Sequence, residues 1–382
     1  MAQEAFICEA VRSPIGKRKG SLSGTRAEDL AGSVLQGLVA KAGISGDAVE
    51  DVIMGCVTQI GEQGWNIGRM AVLAADWPVS VCGTTVNRQC GSSIQTTNFA
   101  AQAIMSGQQD VVVSAGVECM SRTIMGTDGG DVSARITDRY NLIPQGFSAE
   151  LIAQQWNISR EQLDEYSWNS HQRALAAQQA GKFDDEIIAI DVTTEDGSSV
   201  TFDRDETPRD STMDKVASLA PAFNPEGVIT AGNSSQICDG SAAVLLASEQ
   251  AAGRLGLTPK ARIVSTGLAG VDPIIMLTGN PGAMNAALSR AGLTLDDMGV
   301  IEVNEAFACV PIQTMMDLNA MDRLADLNPN GGGISLGHPL GATGARIFAG
   351  ILREMERRDA RYGIVSACIG FGMAVATVIE RV

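Results

Sequence analysis

Residues 86–105 read VNRQCGSSIQTTNFAAQAIM, and this stretch decides how the chain folds. A short apolar run ends just before Cys90, and from Ser92 to Met105 the residues are small or apolar on almost every side. A helix of that composition has no polar face for solvent, so the sequence predicts a helix buried in the middle of the protein. Gly91, between Cys90 and this helix, permits close approach of another backbone or of a ligand.

A second glycine-rich turn occupies the corresponding place in the C-terminal third. The turn 338–341 (HPLG) comes directly before a helix that we predict over Ala342–Arg357. Around both turns, apolar runs typical of strands alternate with helical patterns, which indicates an α/β fold. Because both ends of the chain show the same order of elements, we predict an internal duplication in which the two turns meet in space.

The other elements follow from the same periodicities. The predicted strands are Ala5–Val11, Asp51–Val57, Asp110–Ala115, Val300–Val303, Ile364–Ala367 and Ala374–Ile379. The predicted helices are Glu28–Ala42, Asn66–Ala75, Met284–Ala291 and Ala306–Leu318. In the charged and polar middle, a capping box at Ser159 and Gln162 begins a helix that runs to about Gln179. We predict a first half at 1–118 plus 239–268, an inserted loop domain at 119–238 and a second half at 269–382.

Charge and cysteine content exclude several classes of protein. The net charge of −16 repels phosphate backbones, so nucleic acid is not expected as a partner. Eight cysteines without a C-x-x-C pair argue against zinc ribbons and indicate free thiols in a reducing cytoplasm. The N-terminus lacks a signal-peptide pattern, and glycines interrupt the longest uncharged run, Tyr362–Ile379, so no membrane insertion is expected. A basic cluster is predicted as a solvated loop; it consists of Arg12, Lys17, Arg18 and Lys19.

Cys90 is the first candidate for chemistry. A thiol at the start of a helix feels the positive end of the helix dipole, which stabilises the thiolate, the nucleophilic form. The alternative is a buried core cysteine, the commonest role of a free thiol, and Cys90 alone does not exclude it.

Three further candidates are polar groups at turns or strand ends. A neutral imidazole at His338 can accept the proton of a nearby thiol, although a structural role fits the turn equally well; the other histidine, His171, is predicted on the surface of a helix. Asn304 follows a strand, where it either caps the next helix or orients a water or a histidine. Cys368 is either a buried thiol or an acid/base beside the turn at Gly370, whose backbone N–H groups would form an oxyanion hole.

Four segments together resemble the catalytic loops of the thiolase family. They are VNRQCGSS at Cys90, NEAFA at Asn304, GGGISLGHPLGATGAR at His338 and CIGFGMA at Cys368, in the order and at the spacing of the family. AVRSPIGKRKG, PAF and GNSSQICDGSAA resemble further thiolase segments, so the similarity spans essentially the whole chain. The resemblance implies two similar βαβαβαββ halves stacked as five αβαβα layers, an inserted loop domain, and assembly as a homodimer or homotetramer.

The resemblance also implies a role for each candidate. Cys90 would carry the acyl group as a thioester after activation by His338. His338 and a water held by Asn304 would form one oxyanion hole, and the backbone N–H groups of Cys90 and Gly370 would form the other. Cys368 would exchange the second proton with CoA or with the α-carbon of acetyl-CoA. Coenzyme A would be a co-substrate, with no tightly bound cofactor and no metal ion.

The sequence of the covering loop, residues 144–150, differs from that of one branch of the family. Biosynthetic thiolases have a His-Met pair before the glycine of their covering loop, where residues 144–150 here read PQGFSAE, so Gln145 and Phe147 are expected to face the pocket. This pattern is closer to degradative thiolases. The implied function is therefore CoA-dependent cleavage of 3-ketoacyl-CoA to acetyl-CoA or propionyl-CoA and a shortened acyl-CoA. The residues expected along the pantetheine arm of CoA are Phe223, Ala231, Ser234, Ser235 and Phe307.

Other functions remain possible from the sequence. A biosynthetic acetoacetyl-CoA thiolase shares the catalytic loops. A Cys-His-Asn hydrolase would use Cys90, His338 and Asn304 but would leave Cys368 without a role. A ketosynthase would require a second histidine at the position of Asn304. A thiolase-like protein that only binds acyl-CoA or lipid would be expected to have lost a catalytic position, and none is lost.

Overall fold

The computed structural model describes residues 3–194 and 197–382. Its strands are β1 (Ala5–Arg12), β2 (Gly16–Lys17), β3 (Asp51–Gly55), β4 (Cys82–Val86), β5 (Val111–Cys119), β6 (Ile190–Thr193), β7 (Ser199–Phe202), β8 (Cys238–Ser248), β9 (Ala261–Gly270), β10 (Met298–Val303), β11 (Tyr362–Ile369) and β12 (Met373–Arg381). Its helices are α1 (Ala27–Ala42), α2 (Ile67–Ala74), α3 (Ser92–Met105), α4 (Ala134–Thr137), α5 (Gln145–Gln155), α6 (Arg160–Gln179), α7 (Met213–Ala217), α8 (Glu249–Leu255), α9 (Asn280–Ala291), α10 (Cys309–Asp317) and α11 (Thr343–Arg357).

The strand pairing shows the internal duplication. One mixed sheet runs in the order β10-β11-β12-β9-β1-β8-β5-β3-β4. In the first half β3 is parallel to β5, β5 antiparallel to β8, and β8 antiparallel to β1. In the second half β10 is parallel to β11, β11 antiparallel to β12, and β12 antiparallel to β9. The predicted duplication is confirmed, and β1 and β9 join the two halves through two residue pairs.

The helices form the remaining layers of the predicted five-layer stack. On the outer face of the first half, Leu30 of α1 and Ile67 of α2 belong to one buried apolar cluster. On the outer face of the second half, buried side chains of α9 and α10 belong to another, which includes Met284. Between the two halves, Ile94 of α3 and Phe348 of α11 share a third cluster with strands of both halves. The most buried position in the molecule is therefore held by the helices that follow the two glycine-rich turns.

Most predicted elements are confirmed within a few residues. The helix predicted at Ser92–Met105 has those bounds, and the capping box at Ser159 and Gln162 begins α6. The longest uncharged run forms β11 and β12, and none of the helices in the described residues is long and apolar enough to cross a membrane. The domain bounds stay a prediction, which we propose to revise: β9 pairs along its length with β12, so the second half would begin at about residue 261.

Two surface predictions were wrong. Arg12 is completely buried, and its guanidinium donates to Glu186 at 2.7 Å and to Asp205 at 2.7 Å and 2.9 Å. His171 is also buried, and its Nδ1 accepts a hydrogen bond from the backbone N–H of Arg209 at 3.0 Å. Because burial disfavours the imidazolium form, the pKa of His171 is lowered to about 4. Arg12 thereby fixes the inserted segment onto β1, whereas His171 joins two parts of that segment.

Candidate active site

Cys90 lies in a 3-10 turn, Gln89–Gly91, that comes directly before α3. Gln89 adopts φ of 43°, a left-handed conformation that sharpens the turn. A Cβ on Gly91 would lie 2.6 Å from Ile369 Cδ1 and 2.8 Å from Val375 Cγ1, so this position has no space for a side chain. The turn is thereby held against the ends of β11 and β12, and these strands bring Cys368 and Gly370 to Cys90.

Burial and hydrogen bonding act in opposite directions on the ionisation of Cys90. Burial raises the pKa of its thiol to about 11, and this effect outweighs hydrogen bonds from the backbone N–H groups of Cys90 and Gly370 and from the Gln145 side chain, which lower it. The stabilisation of the thiolate by the helix start stays a prediction. The thiol is protonated in the unliganded site, and the N–H groups predicted for an oxyanion hole are directed at its sulfur.

His338 is held by side chains on both ring nitrogens. Its Nδ1 lies 2.6 Å from Thr343 Oγ1, and its Nε2 lies 3.2 Å from Asn304 Nδ2. Thr343 donates its single hydroxyl proton to the carbonyl of Pro339 at 3.0 Å, so its oxygen can only accept from Nδ1–H. The neutral tautomer with the proton on Nδ1 follows, and Nε2 keeps its lone pair.

The charge of His338 is determined by its surroundings. Burial, together with the positive charge of Arg346, lowers the pKa of this imidazole to about 3. Arg346 lies on α11, two turns beyond His338, and its Nε and Nη2 have no hydrogen-bond partner in the described structure. A neutral imidazole with a lone pair on Nε2, which here accepts from Asn304 Nδ2, is the form that a general base requires.

Asn304 and Glu305 follow β10 and have different roles in the fold. The backbone N–H of Asn304 donates to the carbonyl of Ser366 on β11 at 2.9 Å, which joins the end of β10 to β11. The side-chain Oδ1 of Asn304 is buried and has no hydrogen-bond partner among the described residues. The carboxylate of Glu305 accepts hydrogen bonds from Tyr166 and Ser170 of α6, at 2.9 Å and 2.8 Å. Asn304 is thus the residue that faces His338, whereas Glu305 fixes the inserted segment beneath it.

Cys368 is the last residue but one of β11 and is completely buried. Burial is the main cause that raises the pKa of its thiol well above the ordinary value, and the nearby Cys90 adds to the effect. After β11 the chain reverses through Phe371 and Gly372, at φ of 60° and 81°, before β12 begins. This tight turn places the N–H of Gly370 at the Cys90 sulfur, while Cys368 lies behind it.

Glu118 holds the second glycine-rich turn against the segment that follows β3, and it was not identified from the sequence. This buried carboxylate accepts hydrogen bonds from the backbone N–H groups of Val57 at 2.9 Å, Thr58 at 3.0 Å and Gly341 at 2.9 Å. Val57 also belongs to the small apolar cluster that contains Cys90 and Leu340. The turn that carries His338 is therefore fixed against the segment beside Cys90.

A cavity of about 520 Å³ opens at Cys90. Five predicted site residues line it, namely Cys90, Gln145, Phe223, Phe307 and Gly370. Residues without a sequence prediction complete its walls, among them Val57, Met125, Asp128, Met276, Leu340 and Phe371. The Phe223 and Phe307 rings meet edge to face, with their centroids 6.0 Å apart, and form one wall of the entrance.

The other predicted substrate residues lie near this wall but not on the cavity surface as described. Ser234 forms a bridge with Phe307, and the N–H of Ser235 donates to Ala306 at 2.9 Å. Ala231 is exposed, and Phe147, on the first turn of α5, is also exposed. His338, Asn304 and Cys368 are buried and are not among the residues that line the cavity. The predicted roles of all these residues remain proposals.

Comparison with known proteins agrees with this arrangement. The family model of the thiolase N-terminal domain matches residues 5–250, and that of the C-terminal domain matches residues 257–381. A steroid 3-ketoacyl-CoA thiolase of Mycobacterium tuberculosis is 46% identical, over 99% of this chain and 94% of the relative. A β-ketoadipyl-CoA thiolase of Escherichia coli is 42% identical over the full length of both chains. The crystal structure of the Bacillus anthracis acetyl-CoA acetyltransferase superposes with a TM-score of 0.92 at 40% identity, over 100% of this chain and 99% of that one. The chain belongs to the thiolase family.

Proposed function

We propose that this chain catalyses the CoA-dependent cleavage of 3-ketoacyl-CoA to acetyl-CoA, or propionyl-CoA, and a shortened acyl-CoA. The observation that carries the proposal is the position of Cys90: its thiol ends the cavity, two backbone N–H groups are directed at it, and the Cys368 thiol lies close by. The names of the relatives support the same reaction class. Coenzyme A is the co-substrate, and the proposed chemistry needs no metal ion and no bound cofactor.

In the first half of the reaction, the sulfur of Cys90 attacks the 3-keto carbon while His338 Nε2 accepts the thiol proton. The oxygen that becomes negative is bonded to the carbon attached to Cys90, so the N–H groups of Cys90 and Gly370 stabilise it. The C2–C3 bond then breaks, its electron pair forms the enolate of acetyl-CoA, and the Cys368 thiol protonates the α-carbon. Acetyl-CoA leaves, and the shortened acyl group remains as a thioester on Cys90.

In the second half, the Cys368 thiolate accepts the proton of an incoming CoA thiol. The CoA sulfur attacks the Cys90 thioester, the same two N–H groups stabilise the tetrahedral oxygen, and Cys90 leaves with the proton held by His338. Once protonated, Nε2 is a donor to the thioester oxygen of the substrate, and Asn304 Nδ2 is free to hold the water of the second oxyanion hole. The low pKa of His338 favours return of the proton to Cys90.

Three finer points belong to the same proposal. The covering loop at 144–150, which lacks the His-Met pair of biosynthetic thiolases, favours the degradative direction over acetoacetyl-CoA synthesis. All cysteines among the described residues are free thiols, which favours a cytoplasmic location. The edge strand β4 and the exposed side chains of Trp65 and Val79 favour assembly as a homodimer or homotetramer.

Mass spectrometry of the intact protein after incubation with a panel of acyl-CoAs tests the proposal. We expect one acyl adduct per chain, located at Cys90 by peptide mapping and absent from Cys90→Ala. Cys368→Ser should still form the adduct but release it slowly to CoA. An adduct of equal extent in the wild-type protein and in Cys90→Ala would exclude the mechanism.

A further inference from the structure

The cavity has two chemically different sides. Phe223 and Phe307 form the entrance side described above. Beyond Cys90, the wall is formed by Val57 and Leu340, which pack with the catalytic turn, and by the segment that follows β5, with Met125 and Asp128. An acyl chain attached to Cys90 extends toward this second side when the pantetheine arm occupies the first.

The second side carries one charge. Val57, Met125 and Leu340 are apolar, and among the described residues that line the cavity Asp128 alone is charged. It lies in a tight turn in which the N–H of Gly129 donates to the carbonyl of Gly126 at 3.3 Å. Burial is the main cause that raises the pKa of the Cys56 thiol, and the negative charge of Asp128 adds to the effect. The carboxylate of Asp128 therefore lies near the Cys56–Val57 segment.

Two arginines that flank this turn, Arg122 and Arg139, have other partners. Arg122 is bound to both carboxylate oxygens of Glu62, at 2.6 Å and 2.8 Å. The guanidinium of Arg139 lies 5.6 Å from the centre of the Tyr140 ring. The described cavity wall therefore offers an acyl chain apolar contacts and a negative charge, without a cation to pair with an anionic group.

We propose that this site selects uncharged, apolar 3-ketoacyl chains and rejects chains that end in a carboxylate. A terminal carboxylate would lose hydration against the buried side chains of Val57 and Leu340 and gain no cation in return. It would also approach Asp128, whose like charge opposes its binding in the ionised form. Sequence identity does not decide this point, because the relatives at 46% and 42% identity are named for steroid 3-ketoacyl-CoA and for β-ketoadipyl-CoA.

This inference rests on the proposed function, and the kinetics of two substrates test it. We compare 3-ketooctanoyl-CoA with 3-oxoadipyl-CoA, which ends in a carboxylate, and measure the acetyl-CoA released by the full chain with CoA present. We expect kcat/KM to be at least about tenfold higher for 3-ketooctanoyl-CoA, because the carboxylate stays unpaired in the complex. An equal or higher value for 3-oxoadipyl-CoA would overturn the inference. Cleavage of neither substrate would instead overturn the proposed function.

Variants of the segment that contains Asp128 separate the effect of its charge from the effect of side-chain shape on substrate preference. Asp128→Asn should shift the ratio of the two kcat/KM values toward 3-oxoadipyl-CoA by about threefold to tenfold, and Asp128→Lys should shift it further. Asp128 and Asp131 are both exposed, but only Asp128 lines the cavity, so Asp131→Asn removes the same charge three residues away and should leave the ratio unchanged. Equal ratios for Asp128→Asn and Asp131→Asn would overturn the role assigned to Asp128.

Discussion

The two glycine-rich turns of this molecule occupy equivalent places in its two halves, yet they hold their reactive groups in different ways. Cys90 is placed by backbone: a left-handed residue at 89, a glycine at 91, and N–H groups directed at the sulfur. His338 is placed by side chains, because Thr343 and Asn304 contact its two ring nitrogens. A nucleophile whose attack generates an oxyanion needs backbone donors, whereas a base needs a fixed tautomer.

The helices that follow the two turns, α3 and α11, also differ in the charged side chains that they carry. α3 contains no ionisable side chain between Ser92 and Met105. α11 carries Arg346, Arg353 and Glu354 as buried charges, and Arg346 contributes to the low pKa of His338. Glu302, the acidic neighbour of Arg346, has a pKa raised to about 8 by burial, so it does not fully cancel the positive charge at neutral pH. The duplication thus produced one central helix without charged side chains and one whose Arg346 helps to keep a histidine neutral.

Among the variants that test this comparison, removal of the base should have the largest effect on activity. His338→Ala should lower kcat/KM for 3-ketoacyl-CoA cleavage by about 10³-fold, since proton transfer by a positioned side chain contributes roughly 10²–10⁴-fold. The alkylation of Cys90 by iodoacetamide should slow in parallel, because the thiol keeps its proton. His171→Ala removes the other buried histidine and is the control for stability. If His338→Ala cleaves substrate as fast as His171→Ala does, the base lies elsewhere.

The contact between the two helices can be tested at a glycine. A Cβ on Gly344 would lie 2.7 Å from the backbone carbon of Ser93 and 2.7 Å from Ile94 Cγ1, so α11 and α3 meet with no space between them. Gly344→Ala should lower the free energy of unfolding by about 3 kcal/mol, as overpacking against backbone does. Gly350 lies on the same helix, where a Cβ would have only Glu186 Oε2 at 3.8 Å nearby. Gly350→Ala should instead stabilise by about 0.5–1 kcal/mol, and denaturant unfolding measures both. Equal effects at the two sites would contradict the helix contact.

The local sequence pattern was enough to predict the helix that follows Cys90 and the internal duplication. The bounds of α3 follow from an uninterrupted run of small and apolar residues, and the duplication follows from repeated order. Four short segments predicted, through the family resemblance, that Cys90, His338, Asn304 and Cys368 share one site; in the structure Asn304 contacts His338, and Cys368 lies near Cys90.

The burial and pairing of ionisable groups depend on residues that are distant in sequence, and no local pattern contains these partners. Arg12 looked like a solvated basic residue because Glu186 and Asp205 lie 174 and 193 positions away. Glu118 supports Gly341 across 223 positions. The ionisation of Cys90 also depends on distant residues: the helix start is visible in the sequence, whereas the burial that raises the pKa of the thiol depends on the packing of both halves.

Thr343 gives the smallest expected effect and the sharpest test of the claim that side chains place the base. Thr343→Val keeps the shape but removes the oxygen that accepts from Nδ1–H, so the imidazole proton loses its partner and the tautomer with a free Nε2 lone pair is less favoured. We expect kcat to fall by about tenfold, as a lost buried hydrogen bond implies. KM should change little, because Thr343 does not line the cavity.

A merely structural role for Thr343 predicts a different pattern. Thr343→Ser retains the hydroxyl and loses only a methyl group, so it should restore kcat to near the wild-type value even though it leaves a larger packing defect than Thr343→Val. The rate of Cys90 alkylation should follow kcat across the three proteins, since both report the basicity of Nε2 toward the thiol. If kcat instead falls with thermal stability, so that Thr343→Ser is the least active variant, then Thr343 acts through packing. In that case the contrast between a turn held by backbone and a turn held by side chains fails at this residue.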